Sequence, residues 1–165
     1  MISQDMQKAI NDQINAELYS AYLYLSMETW FAEKNLDGFA NWMRIQSQEE
    51  LSHAARFMDY VNERGGRVLL SGIESPPTQW ESPTTVFEAV YGHEQKVSSL
   101  INDLVSLAAK NSDHATESFL RWFVDEQVEE EASADGVLQQ LKLASGAPGA
   151  LFMLDRELAQ RVFTP

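Results

Sequence analysis

The sequence predicts an all-α protein: a four-helix bundle with one long crossover, followed by a short C-terminal fifth helix. Three observations predict it. Apolar residues recur every three or four positions over four long stretches, helix start and stop signals separate the stretches, and one linker is far longer than the others. This spacing places apolar side chains on the helix face that packs into a bundle core. A length of 165 residues suits a single domain, 1–165.

The first helix is expected over residues 4–33. The second is expected over 37–64, with Asp37 as its N-cap residue and Gly65 at its end. The link between the two helices is short, so they are expected to be antiparallel neighbours.

An 18-residue linker, 65–82, leads to a third helix expected over 83–110. Ser82 is a typical N-cap residue, and Pro83 suits the first helical position. Fully extended, the linker reaches roughly 59 Å, whereas the third helix is about 42 Å long. The linker is therefore long enough to cross the length of the bundle.

The fourth helix is expected over 113–144, with Ser112 or Asp113 as the N-cap residue. Its short link to the third helix makes those two antiparallel neighbours as well. Pro148 then introduces the short fifth helix, which is expected over 150–161.

Metal-capable side chains interrupt the apolar face of every long helix near its middle. Glu50 and His53 lie one turn apart on one face, and Gln127 and Glu130 repeat that spacing. The complete set is Glu17, Glu50, His53, Glu94, Gln127 and Glu130. Ionised carboxylates are costly to bury without partners, so these residues indicate a bound ligand.

Oxygen and imidazole ligands without sulfur suit iron, manganese or zinc. Four buried carboxylates carry about four negative charges, and two divalent ions would neutralise them. The alternative is a polar layer that only fixes the register of the bundle.

At these residues the chain resembles the non-haem ferritins of bacteria and archaea, within the ferritin-like di-iron family. The resemblance covers essentially the whole chain. One departure from the di-iron pattern is that the second Glu-x-x-His becomes Gln127-x-x-Glu130, an exchange characteristic of ferritins. The exchange removes a carboxylate and an imidazole, so the site is expected to hold its metal less tightly. Weaker binding suits a metal that is a substrate and must leave after oxidation.

The resemblance implies a ferroxidase that oxidises Fe²⁺ with dioxygen or peroxide and stores ferric mineral inside a homo-oligomeric cage, usually a 24-mer. The implied ligands are Glu17, Glu50 and His53 for the first iron and Glu50, Glu94 and Glu130 for the second. Gln127 is expected beside the pair, on the oxygen side. Tyr24 matches a tyrosine near the irons that could supply an electron, although a core tyrosine with a bonded hydroxyl is the alternative.

A third iron site is also implied by the resemblance. Its positions are Glu49, Glu126, Glu129 and Glu130. The competing interpretation is that this acidic run is largely a solvated helix face.

Four further residues near these helices have weaker assignments. Trp122 is expected to pack beside the apolar face, and Glu117 aligns with a channel carboxylate whose usual acidic partner is replaced by Leu120. His93 and His114 are expected to face solvent or a subunit contact.

Composition excludes several other functions. A net charge of −13 argues against nucleic-acid binding, and the lack of cysteine excludes disulfides and thiolate metal sites. No stretch approaches the roughly 18 apolar residues that a membrane span requires, and no secretory signal is visible. A cytoplasmic protein is expected.

Three alternative functions stay open. A peroxide-reducing di-iron enzyme of the rubrerythrin kind usually has a Cys-rich module. A bacterioferritin-like cage would carry haem, but Leu51 stands where its methionine is expected, so no haem is expected. A metal-free structural bundle would bind neither Fe²⁺ nor Zn²⁺. A mini-ferritin is disfavoured because it shares ligands between subunits.

Overall fold

The computed structural model describes residues 1–164, which fold into five α-helices with no strand among them. The helices are α1 Gln4–Glu33, α2 Asp37–Glu63, α3 Pro83–Lys110, α4 His114–Leu143 and α5 Pro148–Leu158. The helix α1 packs along α2, α3 packs along α4, and α5 contacts α2 and α4. The architecture is the predicted four-helix bundle with a long crossover and a short last helix.

The crossover between α2 and α3 is held against α1 by side-chain amides. Asn11 donates to the carbonyl oxygen of Arg67 at 3.1 Å, and Asn15 donates to that of Gly72 at 3.1 Å. The linker therefore runs along the bundle surface and reaches the far end, where α3 begins.

Two helix starts carry the predicted side-chain caps. Ser82 Oγ accepts from the backbone N–H of Thr85 at 3.2 Å, and Asp113 accepts from that of Thr116 at 3.1 Å. Of the two candidates for α4, Asp113 is therefore the N-cap residue. Each cap satisfies a backbone donor that the first helical turn leaves free.

The N-cap prediction for α2 is wrong. Leu36 occupies that position without a side-chain bond, and Asp37 is already helical. Asp155 of α5 supplies the acceptor instead, because its Oδ1 accepts from the N–H groups of Gly38 at 2.9 Å and Phe39 at 3.0 Å. A Cβ at Gly38 would lie 1.6 Å from the Asp155 carbonyl oxygen, so the contact requires glycine.

The helix α5 lies earlier in the chain than the predicted range of 150–161. It begins at Pro148, whose fixed φ suits the first helical position. Its end at Leu158 is followed by a turn that is held against α2. The Arg161 N–H donates to the Leu158 carbonyl oxygen at 3.2 Å, and Asn41 of α2 donates to the carbonyl oxygens of Leu158 at 3.2 Å and Arg161 at 3.0 Å.

Two apolar clusters fill the bundle, one towards each end. Phe31, Phe39 and Phe87 belong to the cluster beside α5, and Phe57 and Phe123 belong to the other. Each long helix passes from one cluster to the other near its middle, where polar side chains are buried. Within the described part of the chain, no helix has both the length and the apolar character needed to cross a membrane.

Candidate metal centre

The six predicted metal-capable side chains are all buried in the layer between the two apolar clusters. Their exposed fractions run from 1% to 6%. They come from all four long helices: Glu17 from α1, Glu50 and His53 from α2, Glu94 from α3, and Gln127 and Glu130 from α4. The 3.6-residue period of each helix explains this placement, because the same face carries the core residues on either side.

The structure brings together Glu17, Glu50 and His53, which we call the inner group. One ligand atom from each lies within 4.8 Å of the others, and His53 Nδ1 is 3.4 Å from Glu50 Oε2. Within residues 1–164, Oε2 of Glu17 and Oε2 of Glu50 have no hydrogen-bond partner although both are buried. Unpaired buried carboxylate oxygens are costly, and a cation in contact with them would remove that cost.

A second group shares the same histidine. Ligand atoms of His53, Glu126 and Glu130 also lie within 4.8 Å of one another. Glu130 is buried, whereas Glu126 is only half-buried, so this group opens towards the protein surface. The imidazole therefore lies between a fully buried group and a more accessible one.

Glu94 accepts hydrogen bonds from two residues that were predicted from the sequence to lie near the centre. Tyr24 donates its hydroxyl proton to Oε1 of Glu94. Gln127 Nε2 donates to Oε2 of the same carboxylate at 3.2 Å. Both oxygens of Glu94 thus accept a hydrogen bond, and this fixes the carboxylate beside the inner group.

Two buried glutamines near the centre were not predicted as site residues. Gln46 Nε2 donates to Glu130 Oε2 at 2.6 Å, and Gln13 Nε2 donates to Glu17 Oε1 at 2.8 Å. Gln46 occupies the core face of α2 one turn before Glu50, and Gln13 lies one turn before Glu17, so position was the available signal. The neutral amides orient the carboxylates of Glu130 and Glu17 and add no negative charge to the centre.

Burial gives the centre unusual acid–base properties. It raises the pKa of Glu17, Glu50 and Glu94 above the ordinary carboxyl value, and the charge of Glu50 adds to the rise at Glu17. For Glu130, burial and the nearby charge of Glu94 raise the pKa to about 8. The metal-free centre therefore retains protons near neutral pH, and cations that bind there must displace them.

The residues implied for a third iron site are arranged less closely. We call Glu49, Glu126, Glu129 and Glu130 the outer group. Glu49 forms an ion pair with Arg161, and Glu129 is exposed. Among the described residues, neither Glu49 nor Glu129 belongs to a cluster of three close ligand atoms.

His93 is only half-buried and has a partner on α1, whereas Trp122 and His114 lie as expected. His93 lies between α1 and α3, with Nε2 2.8 Å from Ser20 Oγ, and burial lowers its pKa to about 4. Trp122 packs edge-on against His53, with ring centroids 5.4 Å apart. His114 is exposed, and its Nδ1 lies 2.8 Å from the carboxylate of Glu117.

Comparison with known proteins identifies one family. The ferritin-like domain model matches residues 7–144. A bacterial non-heme ferritin of Bacteroides fragilis is 48% identical over 161 residues, covering 98% of this chain and 100% of that protein. One from Campylobacter jejuni is 38% identical over 156 residues, covering 94% and 93%.

Solved structures give the same result. A ferritin of Archaeoglobus fulgidus engineered into a closed form superposes with a TM-score of 0.98 at 53% identity, covering 99% of this chain and 100% of that one. The open pore ferritin from the same hyperthermophilic archaeon superposes with a TM-score of 0.97 at 52% identity, covering 98% and 100%.

Proposed function

The chain belongs to the ferritin-like domain family, and on this premise we propose that it is an iron-storage ferroxidase that oxidises Fe²⁺ and retains the ferric product in an oligomeric cage. One observation carries the proposal: the buried inner group has two carboxylate oxygens without a hydrogen-bond partner within the described residues. A bundle that needed only a polar layer for register would be expected to satisfy those oxygens with donors.

The ferrous ions are substrates in this proposal. Glu17, Glu50 and His53 bind the first, and Glu50 also contacts the second, whose other ligands are Glu94 and Glu130. Dioxygen accepts one electron from each of two Fe²⁺ ions and two protons, which gives two Fe³⁺ ions and hydrogen peroxide. Hard carboxylate oxygens bind the more highly charged product more strongly, and this favours oxidation.

Tyr24 and Gln127 act on the reaction from either side of Glu94. Tyr24 passes on one of the two electrons that dioxygen accepts, and its hydroxyl proton moves along the existing hydrogen bond to Glu94. An Fe²⁺ ion then reduces the tyrosyl radical and the proton returns from Glu94, so two Fe²⁺ ions are still oxidised per dioxygen. Gln127 lies on the oxygen side of the iron pair and orients Glu94 through its amide. The outer group accepts a third iron.

Assembly into a 24-mer cage completes the proposal. Phe152 and Met153 of α5 expose 61% and 72% of their surface, which is apolar area that a subunit contact would cover. Similarity to ferritins with an open pore and with a closed form leaves both cage geometries compatible with this fold. The preferred oxidant, the lack of haem and a cytoplasmic location stay predictions.

The test replaces Glu50 and His53 separately with Ala and follows Fe³⁺ formation by absorbance after Fe²⁺ is mixed with aerated protein. Glu81→Ala removes an exposed carboxylate from the crossover and is the matched control. We expect the initial rate to fall by at least an order of magnitude in both centre variants and to stay unchanged in the control. Equal initial rates in all three variants would overturn the proposal.

A further inference from the structure

Arg161, in the segment that follows α5, reaches back to α2 and forms an ion pair with Glu49. Its guanidinium lies 4.5 Å from the centroid of the Trp42 ring, and Nη1 donates to the carbonyl oxygen of Trp42 at 3.4 Å. The backbone of the same residue is anchored as well, because its carbonyl oxygen accepts from Asn41 at 3.0 Å. Stacking, hydrogen bonding and charge thus hold the Arg161 guanidinium beside the carboxylate of Glu49.

The ion pair is largely withdrawn from solvent. The side chains of Arg161 and Glu49 are exposed by 21% and 20%, whereas the exposed pair Lys8–Asp12 has values of 77% and 66%. Screening by water and salt is weaker for such a pair than for one on the open surface. The guanidinium is therefore an effective counter-ion for Glu49.

Glu49 is electrostatically part of the acidic surface outside the inner group. Burial raises the pKa of Glu49, the charge of Arg161 opposes that rise, and the charge of Glu126 adds to it. The charge of Glu49 in turn contributes to the raised pKa of Glu130. A positive charge beside Glu49 is accordingly close enough to act on Glu126 and Glu130 as well.

We infer that Arg161 sets the affinity of the outer group for Fe²⁺, by occupying the Glu49 carboxylate that an iron would otherwise use. The inference rests on the proposed function, since it concerns how the third ion binds. A cation must either displace the guanidinium or bind without Glu49, and in both cases it meets a fixed positive charge. Iron therefore fills the two-ion centre first, and the outer group holds its ion more weakly.

The experiment is anaerobic isothermal titration calorimetry with Fe²⁺ on the assembled protein. Arg161→Gln removes the charge, and we expect the weakest-bound equivalent to bind about tenfold more tightly while the first two are unchanged. Arg161→Lys keeps a charge but loses the planar stacking, and an intermediate affinity is expected. This second variant also serves if Arg161→Gln alters the helical circular dichroism.

The matched control is Arg44→Gln, which likewise removes one positive charge, here from α2. Arg44 forms an ion pair with Glu28, in which Nη2 lies 2.6 Å from Oε1. Adding Glu49→Gln to Arg161→Gln should cancel the gain, because the released carboxylate is then absent. Equal affinities in Arg161→Gln and Arg44→Gln, or a gain that survives Glu49→Gln, would overturn the inference. If the unmodified protein did not bind Fe²⁺ tightly at all, the proposed function itself would be contradicted.

Discussion

Gln46 of α2 donates a 2.6 Å hydrogen bond to Oε2 of Glu130 in α4, so a neutral amide joins two of the helices that carry the acidic centre. Its own Oε1 is buried and has no partner within residues 1–164. An amide that leaves its acceptor unpaired loses part of its hydrogen-bonding energy. The donor function towards Glu130 therefore explains why an amide is suited to this position.

Replacing that amide with a carboxylate tests this role. In Gln46→Glu a fifth buried acid would lie within hydrogen-bonding distance of Glu130, and like charges at that separation repel. We expect the metal-free variant to melt several degrees lower than the parent at pH 8, with a smaller difference at pH 5, where Glu130 is protonated. Differential scanning calorimetry provides the measurement.

Gln48→Glu introduces the same charge at an exposed position of the same helix and serves as the control. Surface substitutions of this kind change stability little. Equal melting temperatures for the two variants at pH 8 would contradict the assigned role of Gln46.

The pH dependence of stability follows from the raised pKa of Glu130. Its pKa is about 8 in the folded metal-free protein, compared with an ordinary value of 4.5. Between those values the folded state holds a proton that the unfolded state has lost, so stability falls as pH rises from about 4.5 to about 8. Glu130→Gln removes this titration and can still accept from Gln46.

We therefore expect the melting temperature of metal-free Glu130→Gln to decline less between pH 5 and pH 8.5 than that of the parent. Glu129→Gln, at the exposed neighbouring position, should follow the parent curve. If the curves of Glu130→Gln and the parent were parallel, the buried carboxyl of Glu130 would not be the source of the dependence.

Tyr24→Phe keeps the aromatic packing and removes the hydroxyl that donates to Glu94. We expect oxidation to slow by about two- to tenfold, because the variant lacks both the proposed electron donor and the hydroxyl that holds Glu94 in place. Fe²⁺ stoichiometry should stay unchanged, since the hydroxyl is not among the proposed ligands. Rapid-mixing absorbance measures the rate, and electron spin resonance detects a tyrosyl radical in the parent alone.

Tyr22→Phe is the matched control, because Tyr22 lies on the same helix with half of its surface exposed. Identical rates and identical radical signals in the two variants would show that Tyr24 is only a packing residue.

The docking of α5 can be tested through Asp155. Asp155→Ala removes the oxygen that accepts from Gly38 and Phe39, and loss of a helix cap costs about 1 kcal/mol. We expect a lower melting temperature than for Glu157→Ala, which alters an exposed residue of the same helix. Identical melting temperatures would mean that the cap contributes no stability.

The sequence predicted the features that depend on helical period. Glu17, Glu50 and Glu94 interrupt apolar faces, and a residue on such a face is buried whichever neighbours it meets. The long crossover was equally evident, because linker length alone determines what it can span.

Features that depend on contacts between distant segments were not predictable. Asp155 accepts from Gly38 at the start of α2, 117 positions earlier in the chain. The sequence alone favoured Asp37 as the N-cap residue because it lies next to that helix start. Gln46 lay on the correct face, but an amide has no metal-binding signature of its own. The contact of His93 with Ser20 was not predicted, because Ser20 lies 73 positions away on another helix.

The contact between Gly38 and Asp155 links two sites whose evolution should be coupled. Because any Cβ at position 38 would collide with the backbone of α5, a lineage that gains a side chain there must first relocate the last helix. Homologues with a larger residue at this place are therefore expected to seat that helix elsewhere.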